Sequence, residues 1–293
     1  MKTIEKKIGI DIFSGAGGLS LGAEMAGISV RYAIEIDSDA AKTYKKNHPD
    51  AKVICEDIQK INPIDLKEDH PFFIIMGGPP CQGFSLSNTI SRNMENPKNF
   101  LFKEFVRFVK VLKPIWFVLE NVKGITSINH GNTQLLIEDC FRELGYTVKS
   151  KVLCASDYGV PQNRHRFFMV GNCLNIDFDF PKETDIKVSV NDAISDLPSL
   201  NNGEMLDKAP YTKPLSETSE YTKLMRGESI FATQNYVSRN NNLVIERYKH
   251  IKQGENWRSI PEYLMQNYAD KKRCHSGIYK RLISDADTVQ NFV

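Results

Sequence analysis

Along the first 172 residues, short apolar runs alternate with glycine turns and with stretches of helical spacing. Ile8 to Phe13 reads as a buried strand that runs into Ser14-Gly15-Ala16-Gly17-Gly18 and then a helix from Leu19 to Ala26, closed by Gly27. Val30 to Ile36 is predicted as a second strand, followed by a helix that Ser38 caps and that continues to Asn47. Val53 to Cys55 and Phe72 to Met76 are the third and fourth strands. Leu101, Phe105, Phe108, Val109 and Leu112 fall on one helical face, with Lys103, Glu104, Arg107 and Lys110 on the other, so an amphipathic helix should end before Pro114. A fifth strand over Ile115 to Leu119 and a helix over Asn132 to Leu144 follow. Two more strands, Thr147 to Leu153 and Arg166 to Gly171, are antiparallel if the segment between them loops straight back.

This alternation calls for an α/β fold with a doubly wound, mostly parallel sheet and helices on both faces. After Asn172 the apolar runs shorten, Asn, Ser, Thr, Lys and Tyr increase, and only Val190 to Leu197 reads as a helix. Residues 1–172 are therefore expected to form one large domain and residues 173–293 a smaller, loop-rich region. A chain of 293 residues is long enough for both. Its six cysteines are scattered without a CxxC pair, which argues against a zinc site or a disulfide framework and for a reducing cytoplasm. No apolar run approaches bilayer length. The formal charge of +2 is too small to argue for a polyanionic partner.

The chemistry-bearing residues cluster at one place in the pattern. The Gly15 turn, Glu35, Asp57, Cys81 and Glu120 each follow the carboxyl end of a strand, the edge where open α/β sheets bind ligands. The glycine turn could be a tight turn without a ligand, but Glu35 lies about twenty residues beyond it, where a carboxylate meets ribose hydroxyls. Cys81 stands in Gly77-Gly78-Pro79-Pro80-Cys81-Gln82-Gly83-Phe84-Ser85, a stiffened turn that presents a thiol. The polar stretch Asn88 to Asn99 beside it has the length of a mobile lid. In Gln162-Asn163-Arg164-His165-Arg166, an extended backbone would set Arg164 and Arg166 on one face, suited to an anion or a carbonyl oxygen, or simply to a soluble edge strand. Lys271, Lys272, Arg273, Lys280 and Arg281 could follow a phosphate backbone or form a solvated face. A thiolate, a carboxyl, paired arginines and a nucleoside-type pocket together fit methyl transfer to carbon 5 of cytosine.

Six stretches in order carry a resemblance to the cytosine-5 DNA methyltransferases of restriction-modification systems. They are Asp11-Ile12-Phe13-Ser14-Gly15-Ala16-Gly17-Gly18, Glu35-Ile36-Asp37, Asp57-Ile58, Gly78 to Ser85, Glu120-Asn121-Val122 and Gln162 to Arg166. The resemblance implies a Rossmann-like fold with S-adenosylmethionine held by Phe13, Gly15, Gly17, Gly18, Glu35, Ile36, Asp57, Ile58, Pro80 and Leu101. It implies Cys81 as nucleophile, Glu120 on ring nitrogen 3, Arg166 on the cytosine carbonyl and Arg164 near the nucleophile. Gln82, Ser85 and Ser87 would meet double-stranded DNA from which the target base is flipped out. Residues 1–172 would then be the catalytic and cofactor-binding domain and 173–293 a target-recognition region. The family's later arginine-rich element and Gly-Asn motif are missing, so the chain is expected to need a second polypeptide that supplies them. An RNA substrate and a non-catalytic binding remnant are the alternatives.

Overall fold

The computed structural model describes residues 7–66, 68–80, 101–267 and 278–281, with the side chains of 128–131 excepted. Seven strands form one sheet: β1 (Ile8–Ile12), β2 (Ser29–Glu35), β3 (Lys52–Cys55), β4 (Ile74–Gly77), β5 (Trp116–Val122), β6 (Thr147–Cys154) and β7 (His165–Asn172). Their order is β3-β2-β1-β4-β5-β7-β6. Every pairing from β3 to β5 is parallel, whereas β7 lies antiparallel to β5. The expected doubly wound, mostly parallel sheet is therefore the fold. Strands β1 and β4 are buried along their whole length, as central parallel strands covered on both faces must be.

Helices α1 (Gly18–Met25), α2 (Ser38–Asn47), α3 (Leu101–Leu112) and α4 (Asn132–Glu143) connect these strands. The core is aromatic around β5: Phe117 stacks on Phe141 of α4 at 4.0 Å, and Phe105 of α3 meets Phe117 edge-on at 6.2 Å. Helix α3 has the predicted limits, and it buries Phe102 as well as Phe105, Phe108 and Val109. Two expectations change. The cap of α2 is Asp37, not Ser38, because its carboxylate accepts from the Asp39 and Ala40 N–H groups that the helix start leaves open. Strand β5 runs three residues past Leu119, since pairing with β7 extends to Val122 opposite Arg166.

The chain forms two compact units, one of residues 1–153 with 165–181 and the other of residues 154–164 with 182–293. The second unit holds α5 (Val190–Ile194), α6 (Glu220–Arg226), α7 (Asn242–Lys249) and a two-stranded ribbon of β8 (Met205–Pro210) and β9 (Phe231–Tyr236). The predicted helix over Val190 to Leu197 ends at Ile194.

Candidate active site

The carboxyl ends of β1 to β4 surround a cleft holding about 360 Å³ of free space, open solvent at its mouth included. Its walls are Phe13, Ile34, Glu35, Ile36, Glu56, Asp57, Ile58, Pro80 and Leu101. Sequence reasoning anticipated these residues except Ile34 and Glu56, which neighbour the expected Glu35 and Asp57. The walls are apolar except for carboxylates at one side, a combination suited to a nucleoside.

The glycine turn is tied to this cleft by Glu35. One carboxylate oxygen accepts the Gly15 N–H at 2.8 Å and the other accepts the Asp37 N–H at 2.8 Å, while the Ser14 N–H donates to the Ile34 carbonyl. A side chain on Gly15 or Gly18 would enter empty space, so the turn leaves room that a ligand can use. Beneath it the hydroxyl of Ser14 and one oxygen of Asp11 are buried with no hydrogen-bond partner among the described residues. The other Asp11 oxygen accepts from Ser20 at 2.6 Å. Burial pushes the Asp11 carboxyl up to about 7, with the Ser20 hydrogen bonds opposing the rise and the charge of Glu35 adding to it.

Two strands away, Arg166 Nε lies 2.9 Å from Glu120 Oε1, both side chains only partly exposed. This pair stands where β5 and β7 run antiparallel. Glu120 also reaches toward β4: a Cβ on Gly78 would come within 2.9 Å of its other carboxylate oxygen. The neighbouring Asn121, to which the sequence assigns no role beyond its place in Glu120-Asn121-Val122, donates from Nδ2 to the Pro79 carbonyl at 3.0 Å. Gly78, Pro79 and Pro80 are the residues that lead into Cys81.

Cys81, Gln82, Ser85, Ser87 and the expected lid lie outside the described residues. Arg164 belongs to the second unit. Its N–H donates to the Gln162 carbonyl and its carbonyl accepts from the Ala155 N–H, so it sits in a turn and the strand begins only at His165. The regular ladder therefore starts after Arg164, yet exposure still alternates along the segment, with Gln162, Arg164 and Arg166 partly buried and Asn163 and His165 exposed. No cluster of three or more metal-ligating side chains is present among the described residues.

A comparison with protein families matches residues 8–286 to C-5 cytosine-specific DNA methylase. The chain belongs to this family. It is 39% identical over 264 residues to the type II methyltransferase M.DdeI of Desulfomicrobium norvegicum, covering 86% of this chain and 63% of the relative. It is 42% identical over 200 residues to the type II methyltransferase M1.HphI of Haemophilus parahaemolyticus, covering 67% of this chain and 54% of the relative. This member thus spans between half and two thirds of the length of those relatives. Its backbone is similar to that of a protein encoded within an E. coli prophage and assigned as a DNA modification methyltransferase. That similarity has a TM-score of 0.70 at 29% identity and covers 85% of this chain and 76% of the other. Among the described residues of the family member, no helix is long and apolar enough to cross a membrane.

Proposed function

We propose that this chain catalyses methyl transfer from S-adenosylmethionine to carbon 5 of cytosine in a specific double-stranded DNA sequence. The observation that carries this reading is a convergence within three residues of Cys81 in the chain. Pro80 lines the nucleoside-like cleft, Asn121 holds the Pro79 carbonyl, and the Glu120–Arg166 pair stands against Gly78.

The residues of the cleft fit the donor, which when bound supplies an electrophilic sulfonium methyl. Phe13 offers an aromatic face to the adenine, and Ile36, Ile58, Pro80 and Leu101 complete the apolar wall. Glu35, fixed by Gly15 and Asp37, keeps lone pairs for ribose hydroxyls, and Asp57 serves the adenine amino group. Gly15 and Gly18 keep side chains away from the donor's remaining groups, and Gly17, whose Cβ would meet His48 behind the turn, lets the backbone make the turn at positive φ.

On the substrate side, the Cys81 thiolate adds to carbon 6 of a flipped-out cytosine while Glu120 hydrogen-bonds or protonates nitrogen 3. Carbon 5 would then have enamine character and would take up the methyl group, the donor's sulfonium carbon–sulfur bond breaking to leave a neutral thioether. Transfer of the carbon 5 proton to a base would then expel the thiolate and restore the ring. Arg166 binds the cytosine carbonyl and orients Glu120, and Arg164 shapes the nucleophile's surroundings. Gln82, Ser85 and Ser87 meet the DNA, residues 1–172 carry the chemistry, and residues 173–293 read the sequence.

A second polypeptide completes the enzyme in this reading. Support comes from α1, the helix that follows the glycine turn, which leaves Leu21 54% and Met25 76% exposed one helical turn apart on one face. The purified chain should then bind the donor weakly, and high activity of the chain alone would refute the need for a partner. The test of the chemistry is Cys81→Ser, which should abolish both methyl incorporation and covalent trapping on 5-fluorocytosine DNA. A fully active variant would overturn the mechanism, and methylation of RNA in place of DNA would overturn the substrate.

A further inference from the structure

We propose that His48 is a positioning residue that sets the glycine turn of the donor cleft from behind. The inference rests on the cofactor reading above, and it assigns a role to a side chain that touches neither donor nor base.

His48 ends the α2 segment and is almost wholly buried. Its Nε2–H donates to the Gly17 carbonyl at 3.1 Å, and Nδ1 lies 3.0 Å from both carboxylate oxygens of Glu24. Gly17 caps the start of α1 and Glu24 lies near its end, so a single ring grips the helix at both ends. The ring is itself held by Tyr44, one turn earlier on α2, with centroids 4.5 Å apart. The Tyr44 hydroxyl bonds Ser20 at 2.7 Å, and Ser20 donates to Asp11 of β1.

The contact with Gly17 is close enough to govern the turn. A Cβ on Gly17 would come within 2.4 Å of His48 Nε2, and its φ of +97° is one that side-chain-bearing residues rarely adopt. The carbonyl that His48 engages also accepts the Leu21 N–H, and the Gly17 N–H donates to the Ser14 carbonyl. Glu35 therefore fixes the cleft side of the turn through Gly15, and His48 fixes the rear through Gly17. Without the rear contact the Gly17 carbonyl is held by the Leu21 N–H alone, and the N–H groups that open α1 are aimed less firmly.

The two ring nitrogens provide a test that separates positioning from simple packing. In His48→Gln the amide nitrogen can take the place of Nε2 and keep the Gly17 bond. In His48→Asn the shorter side chain mimics Nδ1, facing Glu24 but not Gly17. S-adenosylmethionine binding would be measured by calorimetry on the full chain with the partner polypeptide present, alongside thermal midpoints and the split of KM from kcat. The expected result is near wild-type affinity for His48→Gln and a loss on the order of fivefold to tenfold for His48→Asn, the size of one hydrogen bond. KM should rise while kcat holds. Equal affinities for the two variants, or losses that follow the thermal midpoint alone, would overturn the role. Failure of the wild type to bind the donor would instead overturn the cofactor reading.

Discussion

Replacing Asp11 by Asn should remove a pH dependence that the wild-type fold carries. Asp11 is 1% exposed, one of its oxygens has no partner among the described residues, and burial raises its carboxyl from an ordinary 3.8 to about 7. Below pH 4 both folded and unfolded chains hold the proton, and the favourable contribution is complete. As pH rises toward 7 the unfolded chain gives the proton up while the folded one keeps it, so stability falls. Above 7 both have lost it, and the contribution is gone. Three pH units at about 1.36 kcal/mol each make a total of about 4 kcal/mol, of which about 3 kcal/mol falls between pH 5 and 8. The amide cannot titrate, so the variant lacks this slope. It carries instead a cost of about 1–3 kcal/mol, equal at every pH, for an amide donor set where the unpartnered oxygen was. Urea unfolding of both proteins, in a Trp257→Phe background so that Trp116 of β5 alone reports the large sheet, should show curves that converge or cross as pH rises. A wild-type minus variant difference that is flat from pH 5 to 8, or that grows in favour of the wild type, would refute the buried, proton-holding carboxyl.

Other substitutions separate scaffold from chemistry. Gly77→Ala would place a Cβ 1.9 Å from the Ile12 carbonyl oxygen, backbone against backbone, and should cost about 3 kcal/mol, read as a drop of about 10 °C in the thermal midpoint. Gly78→Ala meets only the end of Glu120, so the thermal midpoint should hold while kcat falls by about a hundredfold from a displaced carboxyl; an unchanged kcat would show that Glu120 needs no exact seat. Glu120→Gln keeps the shape but breaks the ion pair with Arg166. It should change stability by less than about 1 kcal/mol and cut methyl incorporation by about 10²–10⁴-fold.

The large sheet was legible because its physics is local. Continuous apolar runs, glycine stops and the single-sided pattern of α3 each point one way. What escaped depended on partners distant in sequence. Strand β5 continues through Glu120 and Asn121 because β7 supplies a ladder that no pattern in β5 announces. The role of His48 lies between α2 and α1, and nothing in Asn47-His48-Pro49 hints at it. Most residues of the cleft stand out in the sequence because they lie at or just after strand ends, whereas Leu101 comes from the start of α3. The second unit was read poorly because its interior is partly polar: Arg247 is 2% exposed and donates to the Leu264 carbonyl, while Asp196 and Arg226 form a buried ion pair. Such an interior dilutes the apolar periodicity from which α6, α7 and the β8–β9 ribbon would have been predicted.

The antiparallel seam between β5 and β7 divides the work of the site. Everything that lines the cleft comes from β1 to β4, their following turns and the start of α3, whereas Arg166 comes from a strand that the chain lays down only after visiting the second unit. What holds the guanidinium against Glu120 is the antiparallel ladder of β5 and β7, from Trp116 opposite Asn172 to Val122 opposite Arg166. On the proposed reading, the parts that would hold the donor and the pair that would meet the base rest on different strands of one sheet, so a change that loosens the β5–β7 ladder is expected to cost base chemistry before donor binding.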